Sequence, residues 1–87
     1  MTEHDVREQT ATTLAEFWQE LLDLDTVGTD DRLLEQGGNS LVATMLANRI
    51  EFAWGFRPSL EQLIMSSFGE MVDLCEQGRM GRPITPP

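Results

Sequence analysis

Wherever apolar residues recur in this chain they do so at helical spacing, and nowhere do they alternate in the two-residue rhythm of a strand. Between Val6 and Leu22 the residues Val6, Leu14, Phe17, Trp18, Leu21 and Leu22 form one stripe, with Glu8, Glu16, Gln19 and Glu20 between them. That spacing predicts a first helix, with Trp18 in the core. Ser40 to Trp54 predicts a second, closed by Gly55, since glycine readily takes the left-handed conformation that ends helices. Pro58 then sets the chain for a short helix at about Ser59 to Ile64. Phe68, Met71, Val72 and Cys75 place a last helix over Phe68 to Gln77. Ser59 with Gln62, and Ser67 with Glu70, fit the reciprocal capping box in which a serine and a residue three positions on satisfy each other's backbone N–H groups. The expected fold is therefore all-α: a four-helix bundle of three main helices and one short helix. Between helices one and two runs a long loop, DLDTVGTDDRLLEQGGN, pinned to the core by Leu33 and Leu34. A loop of that length in a compact domain usually serves a function.

Composition narrows what such a bundle can do. A chain of 87 residues makes one small domain with little room for a deep catalytic cleft. No apolar run approaches the roughly 18 residues of a membrane span. The start, MTEHDVREQTAT, has acids where an export signal has bases, so a cytoplasmic protein is expected. Cys75 is the only cysteine, which excludes an internal disulfide and multi-cysteine metal sites, and its place on the last helix's stripe predicts a buried, inert thiol. No metal site is expected. Fifteen acids against six bases give a net charge of −9, which repels nucleic acid and anionic membrane and favours partners with basic docking patches. The end, GRMGRPITPP, carries two glycines and three prolines, so the chain divides into a folded domain, residues 1–78, and an irregular tail or linker, residues 79–87.

The chemistry concentrates at Gly37-Gly38-Asn39-Ser40. Ser40 is a poor nucleophile: the pattern is not Gly-x-Ser-x-Gly, and His4, the sole histidine, lies at the far N-terminus. A calcium loop starting at Asp25 would put Val27 and Gln36 where ligands belong. A phosphate-binding loop would need a glycine and a lysine that are missing. Two readings remain. In one, the glycines make a tight turn, Asn39 caps helix two and Ser40 is an ordinary first-turn residue. In the other, Ser40 is modified: its hydroxyl projects beside unpaired N–H groups, an attached phosphodiester would meet the positive end of the helix dipole, and the glycines clear one flank for a modifying enzyme.

The longer run FWQELLDLDTVGTDDRLLEQGGNSLVATML, residues 17–46, followed by RIEFAWGF and SLEQLIMSSFGEMVDL, resembles the carrier-protein (thiolation) domain of nonribosomal peptide synthetases, part of the phosphopantetheine-binding, acyl carrier protein-like family. The resemblance implies a four-helix bundle in which a phosphopantetheinyl transferase moves 4′-phosphopantetheine from coenzyme A onto Ser40, flanked by Gly38 and Asn39. The arm's thiol would carry an aminoacyl or acyl group as a thioester. An adenylating or acyl-transferring enzyme would load it, and tailoring or condensing enzymes would take it onward. The carrier itself would catalyse nothing and would act as a monomer. Two positions depart from the family's common form: Leu33-Leu34 replaces Phe-Phe, and Asn39 stands where His or Asp is common. The double glycine favours a peptidyl carrier over one for polyketide or fatty-acid synthesis. The start at Met1 fits a free-standing carrier or the first piece of a longer synthetase.

Turning helix two by about 100° per residue gathers Ala43, Leu46, Ala47, Ile50 and Trp54 on a core arc. Leu41, Met45, Asn48 and Phe52 fall nearly opposite, where a purely structural helix needs no large apolar residues. This second stripe either packs under the long loop or docks partner enzymes. The resemblance favours docking, at Leu41, Thr44, Met45 and Asn48, to which the stripe adds Phe52, and a methionine there adapts to several partners. Asp30 and Asp31 either cap a turn of the loop or meet an arginine of the transferase.

Overall fold

The computed structural model describes the backbone of residues 3–79 and the side chains of residues 7–79. Four helices follow one another: α1 (Glu3–Leu22), α2 (Ser40–Trp54), α3 (Leu60–Met65) and α4 (Phe68–Arg79). No strand is formed among the described residues, only an isolated backbone bridge between Arg32 and Ser67. The expected all-α bundle is what the chain forms. Helix α2 is its centre, packing on α1, α3 and α4, while α1 also packs on α4. Among the described residues no helix is long and apolar enough to cross a membrane.

The core draws on every element. Leu14 and Trp18 enter from α1, Ala43, Leu46, Ala47 and Ile50 from α2, Leu63 from α3, and Phe68, Met71, Val72 and Cys75 from α4. Trp18 meets the Phe68 ring edge-on, centroids 5.3 Å apart. Trp54, expected on the core arc, is half-buried and leans on Phe17 at 5.9 Å. Burial pushes the Cys75 thiol up to about 12, with Glu76 adding a smaller push in the same direction.

The helix ends follow their caps. Both capping boxes form: Ser59 with Gln62 at α3, and Ser67 with Glu70 at α4. The Ser67 N–H, then its hydroxyl and Arg32, hold the Glu70 carboxyl below its usual range against the opposing effect of desolvation. Gly55 closes α2 at φ 80°. Three helices differ from expectation at their boundaries, and α3 is shifted by one residue, to Leu60–Met65, with Ser59 as its cap. Helix α1 starts at Glu3 and takes in His4, whose side chain, like that of Val6, lies outside the described residues. Helix α4 runs past Gln77 to Arg79 and takes in Gly78, where a Cβ would come within 2.4 Å of the Phe56 ring. The remaining tail, residues 80–87, lies outside the described residues.

The long loop is tied down along its length. Residues 28–31 make a turn in which the Asp31 carboxylate accepts the Gly28 N–H at 2.8 Å, so Asp31 caps a turn, whereas Asp30 stays exposed. The carbonyls of Asp31 and Thr29 then accept the N–H groups of Phe68 and Gly69, at 2.8 and 2.9 Å. Those donors belong to the first turn of α4, where no intrahelical acceptor exists. The apolar anchor is single: Leu33 is buried, but Leu34 is 53% exposed. The reason is local geometry. Residues 32–36 form one helical turn, and successive positions on a turn point about 100° apart, so only one of two adjacent leucines can face the core.

Candidate functional site

Two caps stand back to back before α2. In the turn of residues 32–36, Gly38 N–H donates to the Leu33 carbonyl at 2.8 Å and Gly37 N–H donates to the Leu34 carbonyl at 3.2 Å. With Gly37 at φ 94°, these two bonds are the Schellman closure of a helical turn. Gly38 is needed for a different reason. A Cβ there would fall 2.7 Å from the Leu33 carbonyl oxygen and 2.8 Å from Leu33 Cγ. Each glycine thus has a backbone role of its own: Gly37 makes the left-handed step, with open space where its Cβ would stand, and Gly38 lets the backbone lie on Leu33. The next residue starts the helix. Asn39 is extended, and its Oδ1 accepts the Val42 N–H at 3.0 Å while its carbonyl accepts the Ala43 N–H at 2.9 Å.

Ser40 is the first residue of α2 and is exposed. Its carbonyl accepts the Thr44 hydroxyl at 2.9 Å. Among the described residues, the N–H groups of Ser40 and Leu41 have no acceptor, as befits the first positions of a helix. The electrostatics differ from those of the other helix starts. Helices α3 and α4 carry Glu61 and Glu70 in their first turns, whereas α2 carries no acid in its first turn and is capped by a neutral side chain. In a chain of net charge −9, this leaves the positive end of one helix dipole without a carboxylate in its own first turn.

The second stripe of α2 lies open. Leu41 is 67%, Met45 41% and Phe52 96% exposed, and Asn48 is exposed too, so the loop does not cover them. Thr44 is half-buried. The Asn48 side-chain oxygen accepts from Arg57, which also pairs with Glu51 at 3.1 Å. At the far end of the stripe, Phe17, Asn48, Arg49 and Phe52 line a shallow apolar groove, with the Arg49 guanidinium 5.8 Å from the Phe17 ring centroid and paired to Glu20. Arg7 pairs with Asp73 and Arg79 with Glu76, while Arg32 donates to the Met65 carbonyl. Beside the stripe, Arg49 and Arg57 are thus each matched by a glutamate, Glu20 and Glu51.

Sequence reasoning missed Arg32, the Phe17 side of the groove and the acid-free first turn of α2. The last was legible: Ser40-Leu41-Val42-Ala43 against Leu60-Glu61 and Gly69-Glu70. The groove and the Arg32 contact join residues distant in sequence, and no spacing rule reaches them.

Comparison with known proteins agrees with this geometry. The model of the family described as "Phosphopantetheine attachment site" matches residues 12–75. The chain is 37% identical over 68 residues to a dimodular nonribosomal peptide synthase of Bacillus subtilis, a match covering 78% of this chain and 3% of that protein. It is 36% identical over 66 residues to malpibaldin synthetase of Mortierella alpina, covering 75% of this chain and 1% of the relative. Over 44 residues it is 41% identical to a linear gramicidin synthase of Brevibacillus parabrevis, covering 51% of this chain and 1% of that one. No solved structure matches. A helical bundle with a doubly capped serine at the start of its central helix, matched by this family over most of its length, belongs to the phosphopantetheine attachment family: it is a carrier domain, and the group such a domain holds covalently is 4′-phosphopantetheine. The chain spans only 1–3% of the length of these relatives.

Proposed function

We propose that Ser40 is the attachment serine and that this domain is a peptidyl carrier, itself without catalytic activity, that tethers an aminoacyl or acyl group during nonribosomal peptide or related synthesis. The observation that carries the reading is the start of α2: an exposed hydroxyl, two N–H groups without an acceptor, a neutral cap and no acid in the first turn. These residues fit a phosphodiester. An anion there gains about 0.3–1 kcal/mol from the helix terminus, and a first-turn carboxylate such as those of α3 and α4 would have opposed it.

Attachment forms a bond from Ser40 Oγ to the β-phosphorus of coenzyme A and breaks the pyrophosphate bond, releasing adenosine 3′,5′-bisphosphate, with the hydroxyl proton passing to a base on the transferase. When bound, the group supplies the thiol that carries the cargo as a thioester. The chain's own residues do the rest. Asn39 and the Schellman turn hold Ser40 at a fixed point, and tethering raises the cargo's effective concentration at each partner. Leu41, Met45 and Phe52 offer those partners an apolar docking stripe, with Thr44 and Asn48 beside it. The chain's net charge of −9 favours partners that are basic at the contact. Those partners are a phosphopantetheinyl transferase, a loading enzyme that adenylates or transfers acyl groups, and downstream tailoring or condensing enzymes. The carrier unit extends through Arg79, the last residue of α4 and one position beyond the boundary expected from composition, with residues 80–87 as its tail, and it acts in the cytoplasm as a monomer.

The test is an intact mass after incubation with coenzyme A, magnesium and a broad-specificity phosphopantetheinyl transferase. The wild type should gain one phosphopantetheinyl group and Ser40→Ala none, with unchanged helical circular dichroism. A gain on Ser40→Ala moves the site elsewhere. No gain on the wild type with several active transferases returns Ser40 to a plain helix-start residue in a helical interaction module.

A further inference from the structure

Positions four apart on an α-helix stand one above the other, so Ser40, Thr44, Asn48 and Phe52 form a single row along α2. The row starts at the serine assigned to the arm and ends in the apolar groove lined by Phe17, Asn48, Arg49 and Phe52. Phe52 is the most exposed large apolar side chain of the described residues, 96% open to solvent. Asn48 stands between the two ends, exposed, with the direction of its amide fixed by a neighbour. An arginine can only donate, so the Asn48 oxygen faces Arg57 and its NH2 group faces elsewhere, with no acceptor among the described residues. The row therefore offers an attachment point, a free amide donor and an apolar seat, in that order.

A phosphopantetheine arm carries its groups in a matching order: phosphate, two amides, thiol. Drawn out like an extended peptide, it places its second amide carbonyl about 14 Å and its thiol about 18 Å from the Cα of Ser40. Along α2, at about 1.5 Å per residue, Asn48 lies about 12 Å and Phe52 about 18 Å from Ser40. The donor and the groove thus fall where the amide and the cargo arrive. We infer, on the carrier reading above, that this row is a seat for the domain's own loaded arm. The Asn48 NH2 donates to the second amide, and Phe17 and Phe52 receive an apolar side chain of the cargo. An acidic cargo finds no free cation there, because Arg49 is paired to Glu20. A shallow groove binds weakly, but a short flexible tether gives an effective concentration in the millimolar range, so a dissociation constant of about 1 mM fills the seat in about half of the molecules. Phe52 also belongs to the docking stripe, so a partner settling on it takes the cargo's place and releases the cargo.

The experiment loads the chain from coenzyme A analogues in which nitrogen replaces the sulfur, so that a phenylalanyl or an aspartyl cargo is held by a stable amide. Intact mass and nuclear magnetic resonance follow the product. With the phenylalanyl arm, the Asn48 side-chain amide should shift and nuclear Overhauser contacts should join the cargo ring to Phe17 and Phe52, while the backbone amides of Leu63 and Met71 in the core stay in place. The aspartyl arm should give contacts about tenfold weaker, since it brings a charge in place of apolar surface. Phe52→Ala removes no buried side chain and should weaken the phenylalanyl contacts about tenfold. Shifts confined to the neighbours of Ser40, equal contacts in Phe52→Ala, or equal contacts from the two cargoes overturn the inference. A wild-type mass without the arm refutes the assignment of Ser40 and the seat with it, whereas an arm present in the mass whose cargo touches neither ring refutes the seat alone.

Discussion

At the scale of single residues, the glycine pair before Ser40 separates two uses of glycine that look alike in a sequence. Gly37 and Gly55 both take positive φ, 94° and 80°, with open space where a Cβ would stand. An alanine at either costs about 1–2 kcal/mol of backbone strain and nothing in packing. Gly38 has the opposite problem: its Cβ would strike the carbonyl oxygen of Leu33, which cannot rotate away as a side chain could, and the Gly38 N–H bond to that same oxygen would stretch. Overpacking of this kind costs about 1–3 kcal/mol. The distinguishing expectation concerns the site. In chemical denaturation both Gly38→Ala and Gly55→Ala should lose stability, but only Gly38→Ala should also slow arm attachment, since it shifts the turn that delivers Ser40. If Gly38→Ala accepted the arm at the wild-type rate, the close approach to Leu33 would matter to folding alone.

At the scale of elements, α2 serves both as the centre of the core and as an open face, and the two roles use different residues. Ala43, Leu46, Ala47 and Ile50 are buried; Leu41, Met45 and Phe52 are exposed. Met45→Glu therefore removes no core contact and should leave the melting temperature within about 2 °C, while KM for the transferase rises through lost apolar contact and an added like charge. A marked fall in melting temperature would place Met45 in the fold instead of the interface. Both faces were legible from a 100° turn per residue, as were the caps at Asn39, Ser59 and Ser67, because these features depend on neighbours within four positions. The pairing of Leu33 and Leu34 was misread for a related reason: two adjacent apolar residues look equivalent until the local turn sends one inward and the other out. What spacing could not reveal was the set of ties between loop and helices, Thr29 and Asp31 to α4 and Arg32 to α3, since these join residues more than 30 positions apart.

At the scale of the whole molecule, a carrier that presents a reactive thiol gains from having no other reactive sulfur. Cys75, the single cysteine, is fully buried among the core residues of α4, and burial pushes its thiol up to about 12, far above the ordinary cysteine value. Only the thiolate reacts readily with electrophiles, so Cys75 is inert both by access and by protonation. The folded chain before arm attachment should therefore resist a maleimide at neutral pH, and the same chain after attachment should take one label, on the arm. Unfolding in denaturant should expose a second site. Rapid labelling of the folded, unmodified chain would show that α4 opens often enough to release Cys75. The same burial fixes a pH dependence. Because the folded-state value is raised above the unfolded one, the neutral thiol's contribution is fully present below about pH 8.5 and is lost as pH rises toward 12. Wild-type stability should fall across that alkaline window, and Cys75→Val, which has no proton to lose, should fall less steeply there. An equal slope in the two proteins would assign the alkaline loss to other groups and leave access alone as the reason for Cys75's inertness.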